Sequence, residues 1–171
     1  MTQKTKCFNR ILRGFLAIII SEVNYTVKKM INDAEMLNYI LQSAEMGCQG
    51  VKNVREGKQS MALDSVLVNQ MARYGKIYST AGNMLRNLGE DVHHVGALAK
   101  KMAKLSTNMD LKRDPTSSHI AEMMIKGNTM GVNKMAQHLR DYDRTDPNIT
   151  LLAKKMLDME QEHISELKPF L

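Results

Sequence analysis

Apolar side chains recur at helical spacing in four long stretches between Asn32 and Lys168, and this periodicity favours an all-α fold. In each stretch they follow the i, i+3, i+4, i+7 pattern of a helix that buries one face. At 171 residues the chain is long enough for one well-buried core and too short for two ordinary domains. We therefore expect a single helical domain.

The first two stretches predict an antiparallel helical hairpin. Helix A is expected from residue 32 or 33, both good N-caps, to about residue 55. Helix B is expected over residues 63–88, closed by Gly89 at a C-cap position. Because the loop that contains Gly57 and Ser60 is short, helices A and B should pack as neighbours that run in opposite directions.

The second half of the chain predicts another hairpin. Residues 90–115 indicate a long connection with a short helix at about 95–109, ended by an Asp-Pro pair. Helix C follows at about 118–141, and helix D at 147–168 begins after Asp146, a capping residue followed by proline. Two hairpins joined by a long link predict an up-down four-helix bundle with a long B–C connection that contains a short helix.

Methionine and cysteine content describe the expected core. Aromatic residues make up 5% of the chain, tryptophan is absent and there are 15 methionines. The core should therefore consist of aliphatic side chains and flexible thioethers. Cys7 and Cys48 lack a metal-type spacing, and two thiols are too few for a disulfide framework. We interpret Cys48 as a small core residue of a reduced, cytoplasmic protein.

The net charge of +6 is concentrated in the first 29 residues. That segment carries six basic residues and one acidic residue, whereas the other 142 residues carry 18 basic and 17 acidic ones. A nearly neutral body has no general attraction for phosphate. Nucleic acid is therefore not an expected partner.

Residues 1–29 form a basic and apolar extension that we separate from a bundle domain at residues 30–171. Its apolar run of about ten residues is shorter than the roughly twenty that span a bilayer, and no small-x-small cleavage site follows. Three interpretations are open: a signal peptide or membrane anchor, an accessory or disordered extension, and a native chain that begins at Met30. We favour the third as a hypothesis, because composition and charge change at Met30. Recovery of peptides from residues 1–29 from the native protein would contradict it.

The helix order and two segments resemble a known superfamily. The segments are SSHIAEMMIKGNTMGVNKMAQHL and ITLLAKKMLDMEQEHISELKPFL. Together with the helix order over about residues 32–170, they resemble the ferritin-like four-helix-bundle superfamily, in particular its small, uncharacterised bacterial members. The resemblance implies a di-iron site with a Glu on the first and third helices and a Glu-x-x-His on the second and fourth.

Four residues match parts of that pattern. Glu160 and His163 have the Glu-x-x-His spacing, which places both side chains on one face of helix D. The resemblance makes Glu122 the acid of the third helix and Glu45 that of the first. Helix B departs from the pattern, because no Asp or Glu occurs between Val66 and Gly89. A complete di-iron site is therefore not expected.

Structural alternatives exist for the same residues. His163 could be a buried histidine hydrogen-bonded to Glu160, and Glu122 could belong to the N-terminal capping arrangement of helix C. Gly127 and Gly131 suggest close approach of a neighbouring helix or of a second protomer, since each weakens a helix by about 1 kcal/mol relative to alanine. Thioethers could instead suit Cu(I), which makes copper a weaker alternative to iron. The methionines concerned are Met123, Met124, Met130, Met156 and Met159.

The pattern as a whole favours a non-catalytic structural or protein-interaction module. We find no phosphate-binding loop and no nucleophile motif, and we expect no resident cofactor. A homodimer through an apolar helix face and a complex with another protein are the two assemblies left open, and a membrane partner is not expected. The alternative is an iron-binding or redox bundle that uses Glu45, Glu122, Glu160 and His163.

Overall fold

A computed structural model describes residues 30–57 and 59–171, so the predictions for residues 1–29 lie outside the described residues. The described part is helical, and it contains no strand beyond an isolated backbone bridge between Ile31 and Tyr142. The all-α prediction is confirmed. The helices are α1 (Asp33–Val54), α2 (Met61–Asn87), α3 (Ala97–Arg113), α4 (Ser117–Asp141) and α5 (Pro147–Leu167), followed by a 3₁₀ turn (Lys168–Phe170).

The helices begin and end where local signals predict. Asn32 and Glu35 form a capping box at the start of α1, and Asp146 caps α5 immediately before Pro147. Gly89, with φ of 73°, lies two residues after the end of α2. The short connecting helix is the exception, because α3 continues to Arg113 rather than ending near residue 109. Its C-cap residue directly precedes a proline, whose ring disfavours helical backbone before it.

The long helices pack as two antiparallel hairpins. In the first, Leu41 of α1 lies beside Gly82 of α2, and Arg55 near the end of α1 forms an ion pair with Asp64 near the start of α2. In the second hairpin α4 packs against α5. The connection between the hairpins carries α3, which contacts α1.

None of the helices in the described part of the chain combines the length and the apolar character that a membrane span requires.

The core is divided into two apolar clusters by a layer of polar residues. Along α2 the order is Leu67, Gln70 and then Ile77, and along α4 it is Met124, Asn128 and then Met135. Leu67 and Met124 belong to one apolar cluster, and Ile77 and Met135 belong to the other. Buried polar residues therefore interrupt the apolar stripes of both helices.

Polar contacts hold α3 against α1. Glu45 of α1 accepts hydrogen bonds from the Val95 N–H at 2.8 Å and from the Lys100 ammonium at 2.5 Å. Burial alone would raise the pKa of Glu45, but these two bonds more than offset it, so its pKa lies below the ordinary value. Lys104 adds an ion pair with Glu56 at 2.6 Å. Glu45 thus anchors the connection between the two hairpins.

Candidate functional site

The polar layer between the two apolar clusters is the candidate functional site. Its five side chains come from α2, α4 and α5, and none is more than 4% exposed. They are Gln70, Tyr74, Asn128, Glu160 and His163.

Tyr74 links two of these residues. Its hydroxyl oxygen lies 2.6 Å from Asn128 Oδ1 and 3.3 Å from Glu160 Oε1. A tyrosine hydroxyl has a single proton, so it cannot donate fully to both oxygens. Asn128 Nδ2 and Glu160 Oε2 are buried and have no hydrogen-bond partner among the described residues. The two residues bonded to Tyr74 therefore leave one donor and one acceptor unused.

Two glycines make room for this arrangement. A Cβ at Gly47 of α1 would lie 2.5 Å from the Tyr74 ring, and a Cβ at Gly131 of α4 would overlap both carboxylate oxygens of Glu160. The predicted close approach is therefore confirmed at Gly131. At Gly127 no neighbouring helix comes close, because nothing lies within 4 Å of a Cβ there, and the approach of a second protomer stays a prediction. Gly127 faces open space instead.

That open space is a cavity of about 480 Å³ next to the polar layer. Tyr74, Asn128 and Glu160 line it, and most of its wall comes from α1 and α4. Gly50 of α1, like Gly127, has nothing within 4 Å of a Cβ, so missing side chains help to create the space. The remaining wall is rich in thioethers, from Met46, Met123, Met124 and Met130.

Burial controls the charge of Glu160. It raises the pKa of Glu160 to about 7, an effect that the hydrogen bond from Tyr74 partly offsets. Burial, together with the neighbouring Glu160, also raises the pKa of Tyr74, so its hydroxyl stays protonated. Glu160 is thus close to the balance between its neutral and ionised forms at neutral pH.

His163 packs in the layer without a hydrogen bond to its ring. The ring contacts Tyr74 edge-on with centroids 5.0 Å apart, and neither ring nitrogen has a partner among the described residues. Burial, with the positive charge of Arg73 nearby, lowers the pKa of His163 to about 4. The predicted hydrogen bond between Glu160 and His163 is therefore wrong. The carboxylate lies against Tyr74 and Gly131 instead.

The other two predicted ligands have separate environments. Glu45 is bonded to Val95 and Lys100, and the Glu122 side chain is 73% exposed with its carboxylate 3.8 Å from His119 Nδ1. Of the four predicted ligands, Glu160 and His163 are the two that lie in the polar layer. Within residues 30–57 and 59–171, no three or more His, Cys, Asp and Glu side chains are grouped so that they could hold a metal ion.

The sequence analysis did not identify Gln70, Tyr74 or Asn128 as site residues. A usable signal was present, because Gln70 lies three residues after Leu67 and four before Tyr74 on the stripe that faces the core. Polar residues on such a stripe mark a buried network.

Comparison of the chain with protein-family models, curated proteins and solved structures gave no match.

Proposed function

We propose that this protein is a non-catalytic binding module that holds a small amphipathic molecule in the cavity between α1 and α4. The observation that carries the proposal is the pair of buried, unpartnered groups, Glu160 Oε2 and Asn128 Nδ2, on residues that line the cavity. Buried polar groups in proteins are nearly always hydrogen-bonded, and an unpaired one destabilises the fold by about 1–3 kcal/mol. A ligand with a polar end would supply the missing partners.

The wall of the cavity fits the apolar part of such a ligand. Its volume of about 480 Å³ lies within the range of small-molecule sites, which are mostly apolar with a few oriented polar groups. Thioethers adapt their shape to irregular ligands because the methionine side chain is flexible and polarizable. The cavity should therefore select its ligand by the chemistry of the ligand's polar end more than by the shape of the ligand's apolar part.

We also propose that this chain is related to the ferritin-like superfamily. Its two antiparallel hairpins, joined by a connection that carries α3, support this relationship. Iron binding is the weaker alternative, because Glu45 and Glu122 are occupied in contacts away from Glu160 and His163. The cavity and its polar layer account for Glu160 without a metal.

A test of cavity binding can use n-hexanol and phenylbutanol as probes. We expect both to raise the melting temperature of the wild-type protein, since a ligand that binds only the folded state stabilises it. Gly127→Leu should abolish the effect, because it places a side chain in the open space of the cavity. Gly75→Leu is the matched control, as Gly75 also has nothing within 4 Å of a Cβ but does not line the cavity. Equal stabilisation of both variants would contradict cavity binding.

The second candidate function is association with another protein through α3. Four large apolar side chains at i, i+4, i+7 and i+11 are between 62% and 73% exposed on this helix. They are Leu98, Met102, Leu105 and Met109. This is the spacing of a coiled-coil seam, and a seam on one helix can pair with its copy about a two-fold axis. The predicted homodimer would use this stripe.

Sedimentation equilibrium tests the homodimer. We expect the wild-type protein to be dimeric and Leu105→Glu to be monomeric, since the substitution places a charge in the centre of the stripe. Leu151→Glu, at an equally exposed leucine on α5, should remain dimeric. A monomeric wild-type protein at micromolar concentration would exclude a second copy as the partner.

A further inference from the structure

Resting on the proposed binding function, we propose that the polar end of the ligand is an organic ammonium group and that Glu160 is its counter-ion. The inference concerns the chemical class of ligand that this cavity selects. It follows from the position of one carboxylate, the proton count of its neighbours and the nature of the wall.

The first argument is that Glu160 lacks a positive partner. Its side chain is 4% exposed, and Tyr74 is its hydrogen-bond partner within the described part of the chain. Arg73, the cation that acts on the neighbouring Tyr74, is bonded to Glu162 and Glu166. Lys134, the cation among the cavity-lining residues, is exposed. Burying an ionised carboxylate without a cation costs free energy. A positively charged ligand would therefore offset more of the desolvation cost of Glu160 than a neutral ligand would.

The second argument is the count of protons around Tyr74. When Glu160 is ionised, the Tyr74 hydroxyl donates to Glu160 Oε1. Asn128 can then turn its amide so that Nδ2 donates to the Tyr74 oxygen, a rotation that leaves the shape of the side chain unchanged. In this ionised arrangement the two unpartnered atoms of these three residues are Glu160 Oε2 and Asn128 Oδ1, and both are acceptors. They replace the Glu160 Oε2 and Asn128 Nδ2 that are unpartnered when Tyr74 donates to Asn128. A group with several N–H donors and no acceptor is the match, and an ammonium group is that group.

The third argument excludes other polar ends. A carboxylate or phosphate would meet Glu160 with the same sign of charge. A hydrated metal ion would lie against methionine side chains with a single carboxylate, and hard cations require several oxygen ligands. A hydroxyl group fits in size, but it leaves the carboxylate charge unbalanced. Tyr39 and Tyr74, both among the lining residues, add rings of the kind that attract organic cations.

Calorimetry on the full chain tests the inference with three probes of equal length: hexylammonium, n-hexanol and hexanoate. The measurement is made about one pH unit above the pKa of Glu160, which is about 7, so that the carboxylate is ionised. We expect the wild-type protein to bind hexylammonium at least about tenfold more tightly than n-hexanol, the effect of one charge-assisted bond, and hexanoate least. Glu160→Gln should remove this preference, so that hexylammonium and n-hexanol bind the variant with affinities within about threefold of each other.

Glu122→Gln is the matched control, because it removes an acid that is exposed and does not line the cavity. It should retain the preference for hexylammonium. Binding of n-hexanol as tight as that of hexylammonium would overturn the ammonium assignment and leave the binding function standing. So would an unchanged preference in Glu160→Gln, whose folding is verified by a cooperative urea unfolding transition. Failure of the alcohol and the ammonium ion alike to bind the wild-type protein would overturn both proposals.

Discussion

Replacing Gly47 by alanine is expected to lower the free energy of unfolding by about 2 kcal/mol, as overpacking of a filled core does. The added methyl group would lie 2.5 Å from the Tyr74 ring. The ring has little room to move, because it is buried, bonded to Asn128 and packed edge-on against His163. The same replacement at Gly50, one turn later on α1, is expected to raise the free energy of unfolding by up to about 1 kcal/mol, the gain in helix propensity.

Urea unfolding of both variants measures the contrast. Gly50→Ala is the matched control, because nothing lies within 4 Å of its Cβ. Gly131→Ala should be the milder clash, since the carboxylate of Glu160 is the end of a flexible chain and can turn aside. Equal stability of Gly47→Ala and Gly50→Ala would mean that Tyr74 does not lie against α1, and the polar layer would have to be placed differently.

The second large effect is a pair of opposed pH dependences. The pKa of Glu160 is raised by burial from 4.5 to about 7, so its contribution to stability is complete below pH 4.5 and is lost as the pH rises through 7. The pKa of His163 is lowered by burial from 6.5 to about 4, so its contribution is complete above pH 6.5 and is lost as the pH falls through 4. Between pH 4.5 and 6.5 the two slopes have opposite signs and largely cancel.

Single substitutions should separate these slopes. Relative to wild type, Glu160→Gln should gain about 2 kcal/mol in free energy of unfolding as the pH rises from 4.5 to 7, at up to roughly 1.4 kcal/mol per pH unit. His163→Gln should gain a similar amount relative to wild type as the pH falls from 6.5 to 4.

Urea unfolding at a series of pH values measures both slopes as differences from wild type. The two curves should run in opposite directions, because one variant removes a buried acid and the other a buried base. Glu122→Gln is the control for a general charge effect, since Glu122 is exposed, and its curve should be parallel to that of wild type. Parallel curves for all three variants would show that neither buried group changes its pKa on folding.

The bounds of the long helices could be predicted because their signals are local. Asn32, Asp146 and Gly89 act on backbone groups within a few residues of themselves, so sequence alone carries the information. The pairing of adjacent helices into hairpins follows from short loops for the same reason. The connecting helix is the exception, since α3 continues four residues beyond the predicted end at about 109, as far as Arg113. It ends directly before the Asp114-Pro115 pair that was predicted to stop it, because a proline disfavours helical backbone at the preceding residue.

The candidate site depends on which helix faces meet, and spacing does not determine that. The Glu160 and His163 spacing correctly places both on one face of α5, but it does not say that the carboxylate lies against Gly131 while the ring packs on Tyr74. Glu45 shows the same limit, since its main partner, Lys100, is 55 residues away in the chain. Contacts between distant segments required the structure.

Methyl NMR of the methionines tests the central claim most directly, because the methyl groups report on the cavity and on the rest of the protein at once. The chain contains 15 methionines, some in the cavity wall, some in the solid core and some on the α3 surface. On addition of hexylammonium, we expect the methyl signals of the wall to shift and those of the core and of α3 to stay unchanged. The wall group is Met46, Met123, Met124 and Met130, the core group Met36 and Met156, and the α3 group Met102 and Met109. Shifts confined to the α3 group, or no shifts at all, would contradict a ligand site in the cavity.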